Sequence, residues 1–123
     1  MNIIFFMNKA LEEARKALLF NEVPVGAVLV DNRTNTIIKS AHNLINFMNN
    51  STSHAEMIVI NGACKQRKNK FLHDTSLFVT LEPCAMCAAA ISEMQIKRLY
   101  FGAYDEKKGS LETIMRIYNE KHY

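Results

Sequence analysis

The chain has 123 residues, a mass of 14.0 kDa and a net charge of +3, from 15 basic and 12 acidic side chains. Its apolar fraction of 49% is typical of a globular protein and excludes a disordered chain, and its length fits one domain over residues 1–123. No apolar run is long enough to cross a membrane and no signal peptide is recognisable, so we expect a cytoplasmic protein.

The first half of the chain predicts a helix followed by a β-hairpin. Apolar residues recur at helical spacing over residues 5–20, with charged residues between them. Residues 25–30 form a short β-branched run that ends at a turn, and residues 36–41 indicate a second strand. The asparagine-rich stretch 43–53 is predicted to be a loop.

The second half predicts helices and strands in alternation. We expect helices from His54 to about Lys68, from Cys84 onward, and over residues 111–118. Strands are expected over residues 77–81 and 98–102. This alternation after a hairpin is typical of a layered α/β domain with a partly parallel sheet.

The start of the second predicted helix, His54-Ala55-Glu56, allows two interpretations. Side chains two positions apart point in nearly opposite directions, so they can meet only over the helix N-terminus. The stretch Ser53-x-x-Glu56 also fits a capping box, with Ser53 as N-cap and Glu56 bonded back to its amide. Taken alone, the pattern favours the capping box.

The start of the third predicted helix carries Pro83-Cys84-x-x-Cys87, and amides at a helix start stabilise thiolates. Two thiolates and one imidazole leave zinc an open fourth position, which is typical of catalytic rather than structural zinc. A redox pair and half of a four-cysteine site are the alternatives, but Cys64 is single and supplies no second pair. We therefore predict zinc held by His54, Cys84 and Cys87.

These two motifs together resemble the zinc-dependent nucleoside and nucleobase deaminases. Four further strings resemble the bacterial tRNA-specific adenosine deaminases, which convert the wobble adenosine of an anticodon to inosine: Glu22-Val-Pro-Val-Gly-Ala-Val28, His42-Asn43, Val79-Thr-Leu-Glu-Pro-Cys84 and Phe101-Gly-Ala-Tyr-Asp105. The resemblance implies a three-layer α-β-α cytidine-deaminase-like fold, with a mixed sheet of about four strands and the zinc site at two helix N-termini.

The chemistry that follows is hydrolytic deamination. We expect Glu56 to take a proton from water, deliver it to the ring nitrogen and assist the departure of ammonia. The resemblance implies that the backbone around Ala55 and Cys84 holds the attacking oxygen. Glu82 is a second carboxylate near the motif, and we expect it to be structural.

The resemblance also implies three substrate contacts. Asn43 would hydrogen-bond the nucleoside, Val25 would form an apolar wall under the base, and Asp105 would contact the RNA sugar beside the target. Each has a structural alternative, namely a loop asparagine, a core valine and a turn residue.

Members of this family commonly continue with another strand and a C-terminal helix that supports RNA binding, whereas this sequence ends at Tyr123. The resemblance therefore implies a complete catalytic centre beside an incomplete RNA platform. Three hypotheses follow. The first is a tRNA adenosine deaminase that binds the anticodon loop as a homodimer. The second is a deaminase of free cytosine, guanine or a nucleoside, and the third is a zinc-binding remnant without activity.

Overall fold

The computed structural model describes residues 1–103, which form three helices and one four-stranded sheet. The elements are α1 (Ile3–Leu18), β1 (Gly26–Asp31), β2 (Thr36–His42), α2 (Ala55–Arg67), β3 (Thr75–Leu81), α3 (Ala85–Glu93) and β4 (Arg98–Ala103). Every element predicted in this range is confirmed to within a few residues. The predicted helix over residues 111–118 and the candidate Asp105 lie outside the described residues. None of the described helices has the length and apolar character of a membrane span.

The four strands lie in the order β2-β1-β3-β4. Strand β1 pairs antiparallel with both β2 and β3, whereas β3 and β4 are parallel. The predicted hairpin and partly parallel sheet are therefore confirmed. All six residues of β1 are buried, because this strand lies inside the sheet and is covered on both faces. Strand β2 is mostly exposed, as suits an edge strand.

Helices cover the two faces of the sheet and bury two separate cores. Successive side chains of a strand point to opposite faces, so β1 contributes to both cores. On one face, α1 packs over a cluster of Phe6, Ala10, Val28, Val30 and Phe78. On the other face, α2 and α3 share a larger cluster that includes Leu29, Leu77, Val79, Val59, Ile60 and Ile91. The three-layer α-β-α prediction is confirmed.

One edge of the sheet brings together three residues that the sequence analysis singled out. Strand β1 begins there while β2 and β3 end there, because β1 runs antiparallel to both. Val25, Asn43 and Glu82 are the first residues outside these strands, so all three lie at that edge. Ligands of open α/β sheets bind outside the carboxyl ends of strands, which makes this edge the place to search for a site.

Gly26 allows α1 to lie directly against the start of β1. A Cβ atom at this position would overlap the carbonyl oxygen of Ala10 and lie 2.5 Å from the backbone nitrogen of Ala14. Both atoms belong to the helix backbone and cannot move without shifting the helix. The glycine therefore sets the distance between the helix and the sheet.

We predict that Gly26→Ala destabilises the protein by about 1–3 kcal/mol, because α1 must move away from its core. The matched control is Gly62→Ala inside α2, where the added Cβ meets the flexible end of Lys39 at 2.8 Å. That change stabilises by up to about 1 kcal/mol, because glycine is a poor helix former. Urea denaturation of both variants checks the opposite signs, and equal midpoints would contradict the helix contact.

Candidate active site

Two helix starts bring three potential metal ligands together. His54 is the N-cap of α2 and Cys84 is the N-cap of α3, both with extended backbone, and neither side chain caps its own helix. Instead, the Sγ atoms of Cys84 and Cys87 each lie 3.6 Å from Nδ1 of His54. All three ligand atoms lie within 4.8 Å of one another.

This spacing fits a tetrahedral zinc ion. Zinc bonds of about 2.3 Å to sulfur and 2.0–2.1 Å to nitrogen, at a tetrahedral angle, place a sulfur and a nitrogen ligand about 3.6 Å apart. The two distances to His54 have this value. The donor set of two thiols and one imidazole is also a zinc set, and it leaves a fourth position for water or substrate.

The thiol environment argues against a redox pair. Cys84 and Cys87 are both free thiols. Burial raises the pKa of the Cys87 thiol far above its ordinary value, and the negative charges of Glu56 and Cys84 raise it further. Reactive cysteines have lowered rather than raised pKa values. A buried thiol of this kind becomes a thiolate when a cation binds it, so the chemistry favours a metal ligand.

Of the two interpretations of the start of α2, the capping box is wrong. The N-cap is His54 rather than Ser53, and its side chain forms no capping bond. The N–H of Ala55 donates instead to Oδ1 of Asn43, at 2.8 Å. The N–H of Ser53, which a capping box would pair with Glu56, donates to the carbonyl oxygen of Asn50 at 3.1 Å. Glu56 lines a cavity at the sheet edge instead.

A cavity of about 150 Å³ lies beside the ligand group. It is lined by Val23, Val25, Asn43, Ile45, His54, Glu56, Leu81, Glu82 and Cys84. Five predicted site residues therefore share one cavity, together with Glu82, which was expected to be structural. Cys87 and Ala55 are fully buried and complete the ligand group and the helix start.

Glu56 is a candidate for proton transfer in this cavity. It follows the ligand His54 by two residues, lines the cavity and is only 3% exposed. Burial raises the pKa of this carboxyl, while hydrogen bonds from its own backbone N–H and from Cys87 act in the opposite direction. A buried carboxyl in a cleft beside metal ligands is the usual setting of a general base.

Glu22 is a site residue that sequence reasoning missed. Its buried carboxylate accepts the backbone N–H of Asn46 on Oε1 at 3.0 Å and that of Phe47 on Oε2 at 2.9 Å. The side-chain amide of Asn46 also donates to the carbonyl oxygen of Asn21, at 3.0 Å. These bonds fix the loop 43–53 to the segment before β1. The only signal in the sequence was its place at the start of the quoted Glu22–Val28 string.

This anchor acts on the cavity wall. Val23 follows Glu22 directly and Ile45 precedes Asn46, and both line the cavity. The backbone N–H of Asn43 also donates to the carbonyl oxygen of Val25, at 3.1 Å. The two segments that form this wall are therefore joined at both ends.

Comparison with known proteins agrees with the geometry. Residues 2–103 match the family described as the cytidine and deoxycytidylate deaminase zinc-binding region. A curated relative, the tRNA-specific adenosine deaminase of Rickettsia typhi, is 50% identical over 113 residues, which are 92% of this chain and 76% of the relative. The chain belongs to the tRNA-specific adenosine deaminases of this zinc-binding family.

Solved structures of two deaminases share the fold. One comes from a study of A-to-I editing by tRNA:A34 deaminases at the wobble position of transfer RNA. It is 48% identical, with a TM-score of 0.85, and the match covers 89% of this chain and 78% of that one. A guanine deaminase from Bacillus subtilis is 32% identical, with a TM-score of 0.80, and the match covers 85% and 66% of the two chains. The His54, Cys84 and Cys87 group lies inside the matched zinc-binding region.

We predict that Cys84→Ala lowers the zinc content of the purified chain well below one ion per chain, because two ligands hold zinc poorly. Cys64→Ala is the matched control, since Cys64 is a free thiol whose sulfur contacts Met94 rather than the ligand group. Metal analysis of both variants after the same purification checks this. Full zinc in Cys84→Ala would remove Cys84 from the ligand set.

We predict that Glu22→Gln destabilises the protein by about 1.5–3 kcal/mol, the value of hydrogen bonds to a charged group. The amide keeps one acceptor oxygen, whereas the structure needs one for each of two N–H groups. Amide hydrogen exchange should accelerate at Asn46 and Phe47. The control Glu12→Gln alters only an exposed ion pair with Lys9 and should change stability by less than about 1 kcal/mol. Unchanged exchange at both amides would contradict the anchor.

Proposed function

We propose that this chain, loaded with zinc, hydrolyses adenosine to inosine at the wobble position of a tRNA anticodon. The observation that carries the proposal is the buried Glu56 carboxylate in one cavity with His54 and Cys84. The close similarity to named tRNA-specific adenosine deaminases supports the same conclusion.

The reaction adds water at C6 of the adenine ring and releases ammonia. When bound, zinc supplies Lewis-acid activation of the attacking water at neutral pH. Glu56 takes a proton from that water and passes it to N1 of the ring. It then assists transfer of a proton to the departing amine, so one carboxylate serves as base and then as acid.

The cavity wall orients the base. Val25, Ile45 and Leu81 provide apolar surface for the ring faces. Oδ1 of Asn43 accepts the N–H of Ala55. The side-chain NH₂ of Asn43 remains as a donor to an acceptor atom of the nucleoside. The backbone of Ala55 was expected to hold the attacking oxygen, but its N–H is bonded to Asn43, so this role stays a prediction. The expected contact of Asp105 with the RNA sugar also stays a prediction, because Asp105 lies outside the described residues.

An RNA substrate is favoured over a free base. The tRNA:A34 deaminase structure is 48% identical to this chain and the guanine deaminase 32%.

We also propose one zinc ion per chain, a cytoplasmic location and a homodimer. The odd number of cysteines, with two of the three assigned to zinc, favours a reducing compartment. A solution mass near the monomer value of 14.0 kDa would contradict the homodimer.

The decisive experiment incubates the zinc-loaded chain with an anticodon stem-loop that carries a wobble adenosine. We expect inosine from the wild type, and a rate lower by about 100- to 10,000-fold for Glu56→Gln. Zinc content and melting temperature of the variant serve as controls, because only a folded, metal-loaded protein tests the proton transfer.

Free guanine, cytosine and adenosine are tested in parallel. Turnover of a free base without turnover of the stem-loop would contradict the tRNA assignment and favour a deaminase of free bases or nucleosides. A folded, zinc-loaded wild type that acts on none of these substrates would favour a zinc-binding remnant without activity. Full activity in Glu56→Gln would remove Glu56 from the mechanism.

A further inference from the structure

Three rings, those of Phe20, His42 and Phe47, form a small aromatic cluster. Phe20 stacks on His42, with ring centroids 5.6 Å apart and planes at 17°. Phe47 meets Phe20 edge to face, at 6.4 Å and 70°. Phe47 is 69% exposed, although it is a large apolar side chain. One face of Phe20 is covered by His42, so Phe47 is the ring of this cluster with the most surface available to a partner.

Each ring of the cluster lies close in sequence to a residue that lines the cavity. Phe47 lies two residues after Ile45, and Phe20 lies three residues before Val23, and both Ile45 and Val23 line the cavity. The backbone N–H of Phe47 donates to the buried carboxylate of Glu22, at 2.9 Å. The ring is therefore carried by an anchored backbone rather than by a free loop tip.

The volume of the cavity limits how much of an RNA substrate can enter it. Its volume of about 150 Å³ is well below the ~300–1,000 Å³ of pockets for drug-sized ligands, so it admits a single base. The nucleotides on either side of that base must then lie at the protein surface. Bases of single-stranded RNA loops are recognised by stacking on aromatic side chains. The loop 43–53 contains no acidic residue that would repel the flanking phosphates.

We propose that Phe47 stacks on the base of a nucleotide adjacent to the target adenosine, with Phe20 and His42 as its support. This inference rests on the proposed function, because it needs an RNA substrate. It assigns part of the RNA recognition to the loop 43–53, next to the cavity.

The test measures binding of anticodon stem-loops to the full zinc-loaded chain in the Glu56→Gln background, so that the substrate is not consumed. Phe47→Ala should weaken binding by roughly 5- to 150-fold, the range for loss of one base–aromatic stack. Phe47→Tyr keeps a ring and should bind like the parent. Met48→Ala is the matched control, since Met48 is a neighbouring exposed apolar residue of the same loop. The salt dependence of binding should not change, because Phe47 carries no charge.

Two further RNAs locate the stacked base, one abasic on the 5′ side of the adenosine and one abasic on the 3′ side. With one of them, Phe47→Ala should no longer weaken binding, because the stacking partner is already missing. Parent-like binding of the intact stem-loop by Phe47→Ala would overturn the inference, and so would a penalty that persists with both abasic RNAs.

If the Phe47 ring contacts protein and not RNA, the Phe47→Ala variant gives different results. A change in solution mass on Phe47→Ala would assign the ring to contact with a second copy, and a clearly lower melting temperature would assign it to packing within the chain. Either result, with RNA binding unchanged, overturns the inference. Deamination of the stem-loop by the wild type is the control for the proposed function. If the wild type does not deaminate it, the proposed function fails, and the stacking role fails with it.

Discussion

Three candidate metal ligands from two different helices lie within 4.8 Å of one another, and the rest of the fold sets that arrangement. His54 and Cys84 are 30 residues apart in sequence, yet Sγ and Nδ1 lie 3.6 Å apart. Metal ligands tolerate errors of only about 0.2 Å, so the two helix starts must be held rigidly. Helix α2 packs on β1 and β2, and α3 joins the same core cluster, which includes Leu29 of β1 and Leu77 of β3. This shared core holds the two helix starts at one edge of the sheet.

Using helix N-caps as metal ligands has a structural consequence. A side chain that faces a metal cannot also satisfy the exposed N–H groups of its own helix. For α2 the missing acceptor comes from Asn43, at the end of β2. The same residue lines the cavity, so the helix start and the substrate wall are parts of one hydrogen-bonded unit. The start of α2 and the cavity wall are thus joined by a bond between a strand end and a helix start 12 residues apart.

The sequence predicted what depends on local pattern. The β-branched run at residues 25–30 marked a strand, and the spacing of Cys84 and Cys87 after a proline marked a helix start with candidate metal ligands. What it could not predict depends on segments that meet only in the fold. The Ser53-x-x-Glu56 pattern matches a capping box locally, but the N–H of Ala55 donates to Asn43, at the end of β2, and not to Ser53. Glu22 and its two amide partners are likewise about two dozen residues apart, and no local pattern indicates such a contact.

The string from Glu22 to Val28 shows how these constraints combine in one short segment. Glu22 anchors the loop 43–53 through two backbone amides. Around Pro24, the N–H of Val25 donates to the carbonyl oxygen of Val23 at 2.8 Å, a tight turn that suits the fixed φ of proline. That turn directs Val25 into the cavity wall. Gly26 then admits the backbone of α1, and Val28 enters the core beneath that helix. Each position is set by a different neighbour, so one inserted or deleted residue would separate the anchor, the wall and the helix contact. The spacing of this string is therefore a property of the site as much as of the fold.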